Sequence, residues 1–151
     1  MVRARIRERD IPVMIFSLMI IAVLTIVSWS IPLENYLSTY PFYRRFPWYP
    51  YWRVALVNLF IWITVALLFS SNTRLFAYPL VFSMALFTVF HYLMILTAIQ
   101  EGYIFGISVL VFYSVWEKKT LYYIDLGQIV PLLTALLLFL SKKRTVTLSK
   151  E

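Results

Sequence analysis

Three uninterrupted apolar runs decide what this chain can fold into: Ile11–Pro32, Val54–Ser71 and Phe76–Ile99. Each is close to the ~20 residues that a helix rising about 1.5 Å per residue needs to cross a hydrocarbon layer about 30 Å thick. Lipid offers no water to backbone amides and carbonyls, so such runs fold as helices that satisfy themselves. Of the 151 residues, 62% are apolar and 14% charged, and a soluble globule of this length has too little interior to hide that much apolar surface. The pattern predicts an all-α fold: a polytopic transmembrane helical bundle forming a single integral membrane domain over 1–151.

The start of the chain imitates a secretory signal, with a basic stretch, an apolar stretch and the small-x-small triplet Ser28-Trp29-Ser30. The run from Ile11 to Ile31 is nevertheless long enough to cross a bilayer, so it reads as a retained first helix. Pro12 and Pro79 suit first turns, where no amide donor is needed. The polar link Ser70-Ser71-Asn72-Thr73-Arg74 is short enough to make the second and third helices antiparallel neighbours.

The second half reads less simply. Gly102–Trp116 is short for a crossing, although Lys118 and Lys119 extend it by snorkelling. Leu121–Leu140 is long enough if Asp125 and Gln128 lie at its entrance, and Pro131 then kinks it or marks its beginning. The expected helices are 11–32, 53–71, 75–99, 102–117 and 121–141, giving five spans. The alternative is four spans plus a re-entrant segment over 102–117. Cytoplasmic loops tend to hold more Lys and Arg. Five spans divide the fourteen basic residues evenly, seven to a side, whereas four divide them nine to five. The helix-like run Ile107–Trp116 weighs for five. The amino end, bearing Arg3, Arg5, Arg7 and Arg9, is expected on the cytoplasmic side of the cell membrane.

A net charge of +7 sits at the ends of apolar runs and reads as orientation and attraction to anionic lipid. No basic stripe lies on a soluble face, which argues against nucleic acid as a partner. The absence of cysteine excludes disulfides, thiolate metal sites and cysteine nucleophiles. Between the first two runs, the segment YPFYRRFPWYPYWR (Tyr40–Arg53) holds eight aromatics, three prolines and three arginines. Trp and Tyr rings favour headgroup depth and Arg pairs with phosphate, so 33–52 is expected to be a loop folded along the interface. Arg44, Arg45, Trp48 and Trp52 are its candidate lipid-headgroup contacts.

Four polar residues are candidates for an intramembrane site. His91, the only histidine, lies well inside the third run; as a haem or metal ligand it lacks a second histidine and any Cys, Asp or Glu nearby on its helix, and a packing role is preferred. Glu101, in Gln100-Glu101-Gly102, is read as a turn carboxylate in water rather than a buried proton or cation site. Asp125 and Gln128 share a helix face with Gly127 leaving room beside them, and either bind a cation, quinone or lipid group or start a helix at Leu126 with Asp125 as its cap. Capping is preferred. There is no phosphate-cradling glycine loop, nucleophile–histidine–acid set or paired carboxylate, so no catalytic residue, metal site or cofactor is assigned.

The functional expectation is a small integral membrane protein acting as a non-catalytic accessory or structural subunit of a larger membrane assembly, such as a respiratory or other energy-converting complex. Its expected partners are the lipid bilayer and other membrane subunits or further copies of itself. Two alternatives stand beside it: a small oligomeric transporter or channel using the four polar residues, and a redox or enzyme subunit sharing a cofactor through His91.

Overall fold

The structure, a computed structural model, describes residues 10–31, 46–69, 73–116 and 119–147. Arg44 and Arg45 lie outside the described residues. The chain runs through helix α1 (Asp10–Ser30), helix α2 (Tyr49–Phe69) and helix α3 (Thr73–Gln100). Three strands follow, β1 (Ile104–Ile107), β2 (Val111–Trp116) and β3 (Lys119–Ile124), and then helix α4 (Leu126–Thr147). The helices α1, α2 and α3 are long and apolar enough to cross a membrane.

The described chain is mostly helical, but the expected helix over 102–117 is not formed, so the all-α reading is corrected, and three helices rather than five are long and apolar enough to span a membrane. Strands β1 and β2 form there instead and pair with β3 in an antiparallel sheet of order β1-β2-β3, with Phe105 opposite Ser114 and Gly106 opposite Tyr113 in the first ladder, and Tyr113 opposite Tyr122 in the second. The physical reason is composition. Ile104, Ile107, Val111, Val115, Thr120 and Ile124 are β-branched and Phe105, Phe112, Tyr113, Tyr122 and Tyr123 aromatic, all residues that favour strands. A helix is also stopped at the start. Gly102 adopts a left-handed φ of 91°, while the Tyr103 amide bonds the Ala98 carbonyl (3.1 Å) and the Gly102 amide that of Ile99 (3.0 Å). This Schellman closure satisfies the last carbonyls of α3 and turns the chain away. Gly106 serves differently: a Cβ there would collide with the Tyr113 ring across the ladder.

Other boundaries shift for local reasons. The last helix begins at Leu126 rather than 121, because Leu121–Ile124 belong to β3. The expected loop 33–52 gives up its final residues to α2, which opens at Tyr49 with Pro50 supplying a helical φ where no amide is required. Pro79 is not in a first turn but inside α3, which starts at Thr73.

Helices α2 and α3 form the centre. Ala55, Trp62, Val65 and Phe69 pack with Leu80 and Phe87, and Val130 of α4 completes the cluster. Only 17% of the α1 span is buried, against 33% of the α2 span, so α1 lies at the periphery. Two polar ties hold it there. The Thr25 hydroxyl shares its hydrogen between the Ile21 carbonyl of its own helix (2.8 Å) and Asn58 Oδ1 (3.2 Å), and Arg53 donates from Nε to the Ser28 carbonyl (2.7 Å) and from a terminal nitrogen to the Trp29 carbonyl (3.1 Å). The guanidinium thereby meets the open carbonyls and the negative dipole end of α1. A third tie, Trp62 Nε1 to Thr134 Oγ1 at 2.9 Å, joins α2 to α4. Thr64 and Ser83 bond only carbonyls of their own helices, whereas Thr134 donates to the Val130 carbonyl of α4 while accepting from Trp62. The carboxyl end of α1, the amino end of α2, the carboxyl end of α3 and the sheet share one end of the bundle.

Replacing Gly102 with alanine forces an L side chain into a left-handed conformation and is expected to cost about 1 kcal/mol. Gly106→Ala is expected to cost more, because Tyr113 must move. Thermal unfolding in detergent, followed by near-ultraviolet circular dichroism, should place the Gly106→Ala midpoint below that of Gly102→Ala, and both below the parent.

Candidate functional site

A cluster of polar side chains is buried where α3, the β1–β2 turn and the start of α4 meet. Asp125 stands one residue before α4, entirely shielded, and its carboxylate has a partner on every side. Oδ1 accepts the Gly127 amide at 2.9 Å and faces His91 Nε2 at 3.1 Å. Oδ2 accepts the Tyr92 hydroxyl at 3.1 Å and the Gln128 amide nitrogen at 2.8 Å. Two oxygens with four donors suit an acceptor-only group, so His91 Nε2 carries its hydrogen here. The bond to Gly127 is a helix cap, satisfying an amide that has no partner within α4.

Adjacent residues on a helix point about 100° apart. That is why His91 and Tyr92, consecutive on α3, flank the carboxylate instead of sharing one contact. Gly127 makes this approach feasible: a Cβ there would lie 2.5 Å from His91 Cδ2 and 3.0 Å from Tyr92 Cζ.

Gln128 carries the cluster into the sheet. Its amide nitrogen also donates to the Ser108 carbonyl at 2.7 Å, and its oxygen accepts the Leu110 amide at 3.0 Å. The Leu110 carbonyl in turn accepts the Asp125 amide at 2.9 Å. Leu110 has a φ of 60°, a left-handed conformation that costs a branched residue roughly 1–2 kcal/mol. The bonds to Asp125 and Gln128 hold both of its backbone polar groups in that geometry.

Of the four sequence candidates, the fold brings His91, Asp125 and Gln128 together. Glu101 lies apart, exposed at the end of α3. Trp48 and Trp52 border a small cavity of about 230 Å³ with Tyr103 and Phe105. Tyr92 and the backbone of Ser108 and Leu110 were not singled out from sequence. The one available hint was that Tyr92 adjoins the lone histidine in an otherwise apolar run. Among the described residues, no three His, Cys, Asp or Glu side chains converge as a metal site.

Beside the cluster lies a cavity of about 590 Å³ walled by α2, α3, the sheet and Leu126, with His91 in its lining. The imidazole is enclosed by rings: Phe87 at 5.6 Å, Tyr92 at 5.4 Å and Phe112 at 6.1 Å between centroids. No protein-family model, curated protein or solved structure matches the chain.

Removing the carboxylate should be the most damaging single change, because it leaves buried donors unpaired and α4 uncapped. Asp125→Ala is expected to cost about 3–5 kcal/mol, and Tyr92→Phe, which removes one donor, about 1–2 kcal/mol. Unfolding midpoints in detergent should fall in that order, with Gly127→Ala well below Gly102→Ala because only the former meets side chains.

Proposed function

We propose that this protein is a small polytopic membrane protein working as a non-catalytic structural or accessory subunit of a larger assembly in the cell membrane. The observation that carries this reading is the closure of the Asp125 and Gln128 side chains. Each oxygen of Asp125 has two donors from the chain itself, and each polar atom of the Gln128 side chain is engaged. A transport path needs polar groups free to exchange an ion or solute, and Glu101, the remaining carboxylate candidate, stands outside the cluster. Along their length the helices expose Phe16, Met19, Ile26, Phe60, Leu67 and Leu96, a surface that lipid or an apolar partner helix covers equally well.

In this reading α4 is the fourth crossing, packed antiparallel to α3, and both chain ends lie on the cytoplasmic side. The nine-to-five division of basic residues supports that orientation. The sheet then belongs at headgroup depth, because open strand edges are not tolerated in hydrocarbon, and its tyrosines suit that depth. A respiratory or other energy-converting complex is the kind of assembly we infer.

Reporters fused before Met1 and after Glu151 should mark the same, cytoplasmic, side; opposite sides would end the four-crossing topology. Gentle detergent extraction from the native membrane should recover the chain with the same additional polypeptides in each preparation. A consistently solitary chain would overturn the accessory role and leave the topology standing.

A further inference from the structure

We propose that the cavity beside His91 binds the hydroxylated aromatic head of a lipid-soluble molecule, such as a phenol or a quinol bearing an apolar tail. The inference rests on the membrane placement above and adds a ligand to it.

Three features define the occupant. The first is size: about 590 Å³ lies within the roughly 300–1,000 Å³ typical of small-molecule sites. The second is the wall. Trp52, Phe87, Phe112, Tyr122 and Tyr123 surround the space, with Phe112 and Tyr123 stacked at 5.0 Å. Aromatic faces in offset or edge contact accept a flat ring better than a flexible chain. Trp52, Tyr122 and Tyr123 are also exposed, so the mouth opens outward at the bundle end that carries the sheet, where an amphiphile enters from the bilayer.

The third feature is the polar anchor. The Cδ2–Nε2 edge of His91 is turned to α4, with Nε2 against Asp125 and Cδ2 against Gly127. In the neutral imidazole, with Nε2 carrying the hydrogen, Nδ1 keeps a lone pair, and among the described residues it has no hydrogen-bond partner. A carboxylate behind an imidazole fixes the ring and its tautomer, as it does behind metal-bound histidines. What remains for the cavity is an oriented acceptor in an apolar surround. It selects a ligand that donates, and a hydroxyl is a donor that an apolar molecule carries at little cost. A ring carbonyl, having no hydrogen to give, fits this acceptor less well.

The test uses the full chain in phosphatidylcholine nanodiscs, with binding read from tryptophan fluorescence against empty discs. The probes are 4-nonylphenol and its methyl ether, which share a shape and differ in the donor. We expect the phenol to bind saturably and at least about tenfold more tightly than the ether, with the difference lost in His91→Phe. Leu56→Trp, which fills the cavity from α2 and leaves every residue of the Asp125 cluster unsubstituted, is expected to abolish saturable binding, and guards against a His91 variant that does not fold. Equal affinities for phenol and ether, or binding retained in Leu56→Trp, would overturn the proposal. A monoacylglycerol, which supplies hydroxyls without a ring, is expected to compete poorly; competition equal to the phenol would overturn the aromatic assignment. The reporter fusions read the topology separately, so a failure of ligand binding is not confused with a failure of membrane placement.

Discussion

One shielded carboxylate organises the carboxyl-terminal half of this protein. A charged or strongly polar group in an apolar interior is costly unless its hydrogen bonds are complete. The fold completes those of Asp125 by bringing three elements to it at once. From α3 come His91 and Tyr92, from α4 the Gly127 amide and Gln128, and through Gln128 the turn between β1 and β2. None of these contacts is worth much alone, since a net hydrogen bond contributes about 1 kcal/mol. Their joint effect is positional. The start of α4, the orientation of the imidazole and the seating of the sheet are one arrangement, and none of them can move without leaving a buried group unpaired.

The same principle explains why the amino-terminal half was legible and the carboxyl-terminal half less so. In α1, α2 and α3 the only question is whether a run is long and apolar enough to cross lipid, and the residues answer it directly. From Gly102 onward the runs are short and apolar on both faces, so periodicity does not separate a strand from a helix. Ile107–Trp116 looked helical because nearly every residue in it is apolar. The informative signals were the β-branched and aromatic content and Gly102, whose left-handed turn ends α3 and starts a different kind of element.

Within the site, sequence spacing linked Asp125 to Gln128 and allowed a cap at Leu126, because those relations are local. It did not link either residue to His91, which is 34 positions away and reaches Asp125 only because α3 and α4 pack side by side. Arg53 is a similar case. In the sequence it is one more cation beside an apolar run; in the fold it closes the carbonyl end of α1. Such roles depend on which helix ends share a level of the bundle, and nothing in a single run carries that information.

Satisfied and open groups are unevenly distributed in the site. The Asp125 and Gln128 side chains have no polar atom without a partner. Saturation makes them rigid, and rigidity has a use. An imidazole clamped along its Cδ2–Nε2 edge cannot rotate to suit whatever arrives, so its remaining nitrogen presents one fixed acceptor to an aromatic-walled space. The recognition proposed above draws on both parts: the polar cluster supplies the geometry, and the apolar cavity beside it supplies the volume.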